Sequence, residues 1–270
     1  MASRKPAVAG SFYTADPEAL REEIERLLAG RTPPAQPRGI ALMVPHAGYI
    51  YSGRVAADAY TSVRLSPRAV ILGPNHTGEG HPVAVMREGS WSLPFGEAAI
   101  DAPLAGAILD RCPGAREDDR AHRSEHSLEV QVPFLQRLLP SFRFVPICVG
   151  TLRLPLLLDL GRAVAEAIRA AGEDVLILIS SDMSHYIPAA TAQAQDRKAI
   201  DRILALDPEG LHRVVLEESI SMCGIAPAVA GLDAARRLGA RSARLVSYAN
   251  SGDRSGDYRS VVAYAGIAVT

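Results

Sequence analysis

Six side chains could do chemistry together: His46, His76, Asp182, His185, His126 and Cys223. The first four share one kind of position. In each case a short, continuous apolar run, which reads as a buried strand, runs into a turn of glycine, proline or serine that carries an imidazole. Ile40 to Val44 ends at Pro45-His46, and Ala69 to Leu72 ends at Gly73-Pro74-Asn75-His76. Val175 to Ile179 ends at Ser180-Ser181-Asp182-Met183-Ser184-His185. Neutral imidazole is the commonest metal ligand and transfers protons near neutral pH. Ligands of open α/β sheets collect at the carboxyl ends of strands. If the three strands are parallel neighbours, these residues converge on one rim of one sheet. A lone histidine in a turn ordinarily bonds a loop carbonyl; two in matched strand-end positions argue for function. Asp182 could serve as ligand or acid–base group, or could cap the next segment through backbone amides.

Glu125, His126 and Glu129 form the cluster EHSLE ahead of VQVPFLQRLL. On a first helical turn the two glutamates share a side, with His126 adjacent. That suits an orienting carboxylate or a proton relay, although acidic groups there also simply answer the helix dipole. Cys223 lies in Met222-Cys223-Gly224-Ile225-Ala226-Pro227 at the start of a helix. A thiol so placed is expected to ionise more readily and to act as nucleophile or metal ligand; the alternative is a small buried hydrophobe, the usual fate of a free cysteine. Cys112 and Cys148 read as small buried hydrophobes, and His81, His122 and His212 lie in no comparable context. Tyr49, Tyr51, Trp91 and Phe95 could wall a pocket or pack loops. No P-loop, G-x-G-x-x-G, H-E-x-x-H or G-x-S-x-G motif is present, so a nucleotide cofactor has no support.

The elements that must position these groups follow from periodicity and breakers. Asp16-Pro17-Glu18 starts a helix that Gly30 stops, and RTPPAQPR at 31–38 reads as a connector. Ser52 and Gly53 open a helical run with Val55, Ala56, Ala59, Tyr60 and Val63 on one face. Short strands are expected at 83–86 and 144–149, with EGSWSLPFGE as a loop between them and Arg111 to Glu125 as a polar surface loop. Leu128 to Leu139 fits a helix, kinked or starting late because of Pro133. Further helices are expected at 102–109, 154–171, 194–206, 208–218 and 225–238, and closing strands at 243–249 and 258–269. No repeat or composition shift marks a linker, so residues 1–270 read as a single domain of the α/β class.

Bulk properties exclude several classes. Hydrophobic residues make up 48% and charged residues 22% of the 270, an ordinary globular balance. With 29 basic and 30 acidic side chains, no global field points to nucleic acid or an anionic membrane. No apolar run is long enough to span a bilayer, and the N-terminus has no secretory core. Three widely spaced cysteines fit a reducing cytosol better than a disulfide framework. The expectation is a cytoplasmic protein.

Seven motifs, VAGSFY, PHAGYIYSG, GPNH, EHSLEVQVPFL, SSDMSHY, CGIAP and SGDRSGDY, together resemble the Memo family over nearly the whole chain. Its prokaryotic members are often called AmmeMemoRadiSam system protein B. The resemblance implies a central mixed, largely parallel sheet flanked by helices, similar to the catalytic subunit of class III extradiol dioxygenases, which are non-haem iron enzymes. Carried over by motif, the metal ligands are His46, His76 and Cys223, with Asp182, His185 and His126 lining the same pocket. The implied ion is Fe(II), with copper or zinc also suited by a thiolate; Asp182 could replace Cys223 as third ligand. The implied function is a redox or dioxygenase-like enzyme in a pathway with radical-SAM and AMMECR-like proteins. The alternative is a non-catalytic protein using the cleft for a peptide ligand or for metal sequestration. A hydrolase with Cys223 as nucleophile and His185 as base is a third possibility.

Overall fold

The computed structural model describes residues 3–31 and 37–270, so most of the 31–38 connector lies outside the described residues. The strands are β1 (Ser3–Arg4), β2 (Ala41–Val44), β3 (Arg68–Pro74), β4 (Val83–Val85), β5 (Ser90–Leu93), β6 (Gly96–Ile100), β7 (Arg116–Glu117), β8 (Arg143–Val149), β9 (Leu176–Ser180), β10 (His185–Ile187), β11 (Ala243–Asn250) and β12 (Val261–Val269). The helices are α1 (Pro17–Leu28), α2 (Tyr49–Tyr60), α3 (Ala102–Arg111), α4 (Val132–Leu138), α5 (Leu154–Ala171), α6 (Ala189–Leu204), α7 (Pro208–Glu217), α8 (Ile225–Arg237) and the single turn α9 (Gly252–Ser255).

The twelve strands among the described residues join one sheet whose main path runs β1-β5-β6-β8-β3-β9-β2-β12-β10. Its middle, β6-β8-β3-β9-β2, is parallel throughout, and β12 turns antiparallel against β2. The three strands that carry the strand-end histidines are therefore consecutive neighbours, in register Val44↔Ser180 and Leu72↔Ile179.

The alternation of side chains along these strands builds a three-layer sandwich. Leu42, Val44, Ala69, Ile71, Leu176 and Leu178 face the layer containing α1, α2 and α4. Ala41, Met43, Val70, Leu72, Ile177 and Ile179 face the layer of α3, α5, α6, α7 and α8. Both faces are covered, which explains why the strands read as continuous apolar runs.

Three expectations change in detail. EGSWSLPFGE is a hairpin, because Trp91 and Leu93 bury one face of β5 while Gly96 takes a positive φ of 102° at the turn. The 111–125 stretch carries β7 and a 3₁₀ turn, and buries Ala121, His122 and Glu125. Helix α6 begins at Ala189, five residues before the expected start, directly behind Pro188. Pro133 has the predicted consequence: it sits at the first turn of α4, after a 3₁₀ turn over Glu129–Gln131.

Candidate functional site

His46 follows β2, His76 follows β3, and Asp182 follows β9, so the carboxyl ends of three adjacent parallel strands deliver them side by side. Cys223 arrives from the other direction, on the turn before α8. A Cβ at Gly224 would collide with Ser181, so glycine there lets the Cys223 turn press against the end of β9. Nitrogens of His46 and His76 and the Cys223 Sγ lie within 4.8 Å of one another. The rings of His46, His76 and His126 form a triangle with centroid separations of 5.3, 5.4 and 4.6 Å. His185, half-buried on β10, lines the same cavity with Asp182.

Hydrogen bonding sets the tautomers. Ser180 Oγ spends its single hydrogen on the Ser127 carbonyl at 2.6 Å, so at 2.9 Å from His46 Nδ1 it can only accept. His46 therefore carries its hydrogen on Nδ1 and turns a lone pair on Nε2 toward Cys223 Sγ, 3.3 Å away. His76 Nδ1 lies 2.9 Å from the buried Glu125 carboxylate, which also accepts from the His76 and Ser127 amides. His185 Nδ1 points at the Ser221 carbonyl at 2.9 Å. In all three rings Nδ1 donates to a fixed acceptor, leaving Nε2 as the lone-pair nitrogen, the arrangement found behind metal-bound and proton-accepting histidines.

Charges in the site follow from burial and partners. Burial, followed by the neighbouring imidazoles of His126, His76 and His185, holds His46 well below its ordinary pKa and keeps it neutral. His126 is lowered as well, by burial and His76, against the pull of Glu125. Burial pushes Glu125 up, but the His76 ring and the His76 and Ser127 amides outweigh it and hold the carboxyl at about 2. Asp182 is raised to about 6 by burial, moderated by the His46 amide that donates to its Oδ1 at 2.7 Å. Burial and the Asp182 charge raise the Cys223 thiol. The expectation of a readily ionised Cys223 is thereby corrected: it lies two residues ahead of α8, half-buried and beside a carboxylate.

The donor chemistry fits a metal ion. Two imidazoles and a sulfur offer soft and borderline ligands, which favours a transition metal over magnesium or calcium. Besides His46 Nε2, the sulfur meets the Asp182 amide at 3.3 Å and the Asp182 carbonyl at 3.6 Å. His46, His76 and Cys223 would hold such an ion, and Asp182 lines the same cavity.

A family model described as Memo-like protein matches residues 4–268. A MEMO1 family protein of Aquifex aeolicus is 44% identical over 268 residues, 99% of each chain. One from Methanopyrus kandleri is 44% identical over 277 residues, 98% of each chain, and one from Methanothermobacter thermautotrophicus is 43% identical over 272 residues, 97% of this chain and 98% of its own. The chain belongs to the Memo family. An uncharacterized protein of Escherichia coli K12, known from its crystal structure, superposes with a TM-score of 0.56 at 14% identity, over 84% of the Memo-family chain and 99% of its own; this is a likeness of fold.

In this Memo-family protein His46, His76, His126, Asp182 and His185 line one cavity, and Cys223 touches His46; of the four aromatic residues offered as pocket walls only Tyr51 lines it, Tyr49 and Trp91 being core residues with Phe95 packed against the core. The expected first α-helical turn over EHSLE does not form. Glu125 precedes the 3₁₀ turn, and both glutamates are fully buried acceptors rather than dipole partners. Glu129 accepts from Arg4, the Ala7 and Val8 amides and the Tyr13 hydroxyl, and so anchors the N-terminal segment. That segment lays the Phe12 ring 4.8 Å from His126. Sequence reasoning missed Ser180 and Gln131, which orient His46, as well as Asp196 and Tyr264. Gln131 Nε2 donates to Ser180 Oγ at 2.9 Å, and Asp196 accepts from Ser184 between Asp182 and His185. The usable signal was a glutamine inside the apolar run VQVPFL. His122 lies apart from the site, fully buried beside Trp91.

Proposed function

We propose that this Memo-family chain is a metal-dependent redox enzyme acting on a small molecule, nearest in chemistry to the extradiol dioxygenases. Its resident ion is iron(II), held by His46, His76 and Cys223, with His185, His126 and Asp182 handling protons. The observation that carries the reading is the donor cluster: two imidazoles and one sulfur within 4.8 Å, with both imidazoles fixed through Nδ1. Iron(II) held there supplies Lewis acidity and one-electron redox chemistry. The chain's own groups do the rest. His185, with its hydrogen committed to Ser221, accepts a proton at Nε2 from a hydroxyl or thiol of the bound molecule. Asp182, with a pKa of about 6, holds or returns a proton near neutrality. His126, neutral and packed on Phe12, hydrogen-bonds the molecule at the opposite wall.

The cellular setting in this reading is the cytoplasm, which the spacing of the three cysteines suits, in a pathway with radical-SAM and AMMECR-like proteins, as the seven motifs imply. No helix among the described residues is long and apolar enough to cross a membrane. The test is metal content after anaerobic purification, on wild type beside His46→Ala and Cys223→Ser. Near-stoichiometric iron that disappears in the first variant and changes spectroscopically in the second is the expected result. Copper or zinc in its place reassigns the ion, and iron indifferent to Cys223→Ser makes Asp182 the third ligand. If no metal is bound or taken up by any sample, the proposal fails and the cleft is a ligand-binding site only.

A further inference from the structure

Arg4 precedes all seven motifs and bonds none of the proposed metal ligands, yet its guanidinium is buried against the stretch that carries Glu125 and His126. A guanidinium has several donors in one rigid plane. Here Nε donates to the His122 carbonyl at 2.5 Å and Nη2 to the Glu125 carbonyl at 2.7 Å. Nη1 donates to the Glu129 carboxylate at 2.6 Å and to the Lys5 carbonyl at 3.3 Å. The guanidinium carbon sits 4.1 Å from the centroid of the Trp91 ring, which holds the plane of the fork.

The pinned stretch has little else to hold it. Among the described residues, no amide from 124 to 129 donates to a backbone carbonyl, and Arg4 is the one hydrogen-bond partner of the His122 and Glu125 carbonyls. What this stretch carries is the support of the site. The Glu125 carboxylate accepts from the His76 and Ser127 amides, and the Ser127 carbonyl accepts from the Ser180 hydroxyl that adjoins His46. One guanidinium therefore sets the backbone from which the supports of both His76 and His46 hang.

We infer that Arg4 is a positioning residue for the metal site: it fixes the 122–129 backbone so that Glu125 meets His76 and Ser127 meets Ser180. The inference rests on the proposed function for what the site holds, but not for the hydrogen bonds that carry it. A cation that merely neutralised Glu129 could be exchanged for lysine. A cation that holds a carboxylate and two carbonyls in one plane cannot, because an ammonium on a flexible stem lacks the fork.

The test is Arg4→Lys in metal-free full-length protein, read by amide hydrogen exchange and then by competition with a chromophoric chelator for zinc(II). Losing a charged donor to a buried carbonyl changes local opening about tenfold. The His76 and Ser127 amides, which donate to Glu125, should exchange about tenfold faster. The Ala7 and Val8 amides, which donate to Glu129, should stay within about twofold of wild type, because lysine keeps that ion pair. Zinc affinity should fall about tenfold, as when a group behind a metal ligand is lost. Wild-type exchange at His76 and Ser127 overturns the inference. Equal acceleration at all four amides also overturns it, since that is general loosening. Arg4→Ala supplies a second reading. The Arg4 side chain lines a cavity of about 390 Å³, through which a small cation can take its place. Ethylguanidinium should restore zinc affinity in this variant and ethylammonium should not; equal rescue by both, or by neither, overturns the fork. The two readings separate cleanly. Altered exchange with no metal taken up by either protein sinks the proposed function alone, and metal binding with unaltered exchange sinks this inference alone.

Discussion

Glu125→Gln tests the site through the carboxylate behind His76. Both carboxylate oxygens are fully committed: Oε1 accepts from His76 Nδ1 and the Ser127 amide, each at 2.9 Å, and Oε2 accepts from the His76 amide at 2.6 Å. Glutamine preserves the shape but converts one acceptor into an NH2 group, so in either orientation an N–H faces an N–H. The less costly orientation aims the amide nitrogen at the His76 backbone and keeps an oxygen for Nδ1. One buried donor is then left without a partner, at about 1–3 kcal/mol. The His76 ring also loses the negative charge that makes Nε2 more basic. Changes of this kind behind a metal ligand reduce affinity by about 10–100-fold, or roughly 1.4–2.8 kcal/mol. Competition between metal-free protein and a chromophoric chelator for zinc(II) measures the second quantity, and urea unfolding of the metal-free protein measures the first. Acidity adds a signature. Glu125 is held at about 2 against an ordinary value of 4.5. Its contribution to stability is therefore complete above the unfolded value and is lost as pH falls toward the folded one. Wild type and variant should converge in urea midpoint through that window. A variant that binds zinc as tightly as wild type, or stability curves that stay apart into acid, would refute the assignment of Glu125 as the residue that orients His76.

Zinc(II) binding near neutrality should release one proton, from the Cys223 thiol, which burial and Asp182 keep protonated in the metal-free protein. His46, already neutral, should contribute none; a pH-indicator assay reads the proton count, and release that persists in Cys223→Ser contradicts the assignment. Glu129→Ala leaves the buried Arg4 guanidinium unpaired, a loss of about 3–5 kcal/mol in denaturant unfolding; a loss below about 1 kcal/mol means that water replaces the carboxylate. Gly224→Ala forces a Cβ into Ser181 and to 2.7 Å from the Ser180 carbonyl oxygen. It should cost about 1–3 kcal/mol and weaken zinc binding by displacing Cys223, whereas unaltered zinc affinity shows that the turn has slack. Tyr186→Gly should raise stability by roughly 0.5–1 kcal/mol by relieving the φ of 58°, and a lower melting temperature means that the ring is packed.

The strand-end logic was legible because three apolar runs of the same length class each stop at a breaker, and parallel strands buried on both faces have no alternative reading. It located His46, His76, Asp182 and His185 without any side-chain contact. What stayed hidden was hydrogen-bond direction. Ser180 reads as one more strand-end serine, and only its bonds to Ser127, Gln131 and His46 reveal that it sets a tautomer. Cys223 was misread for a related reason. Its proximity to a helix start is visible in sequence, but its burial beside Asp182, which reverses the effect on the thiol, is a product of long-range packing. The hairpin of β5 and β6 was missed because only tertiary burial of Trp91 and Leu93 distinguishes the strand SWSL from a loop of the same composition.

The two glutamates of EHSLE explain why motifs far apart in the chain belong together. They flank Ser127 and Leu128, whose burial against the end of β3 places Glu125 toward His76 and Glu129 toward the N-terminal segment. Each is satisfied by backbone amides rather than water: His76 and Ser127 for one, Ala7 and Val8 for the other. Buried carboxylates so held tolerate little movement of their donors, because every lost hydrogen bond leaves a charge in an apolar interior. The N-terminal segment is therefore fixed by the same stretch that fixes His76. It uses that fixity twice, placing Phe12 against His126 and accepting the first amide of α2, that of Tyr49, on the Phe12 carbonyl at 2.8 Å. That is why VAGSFY, whose one titratable side chain is Tyr13, belongs with the site: its Val8 amide and Tyr13 hydroxyl donate to the Glu129 carboxylate of EHSLE, and its phenyl ring packs on the imidazole of the same motif.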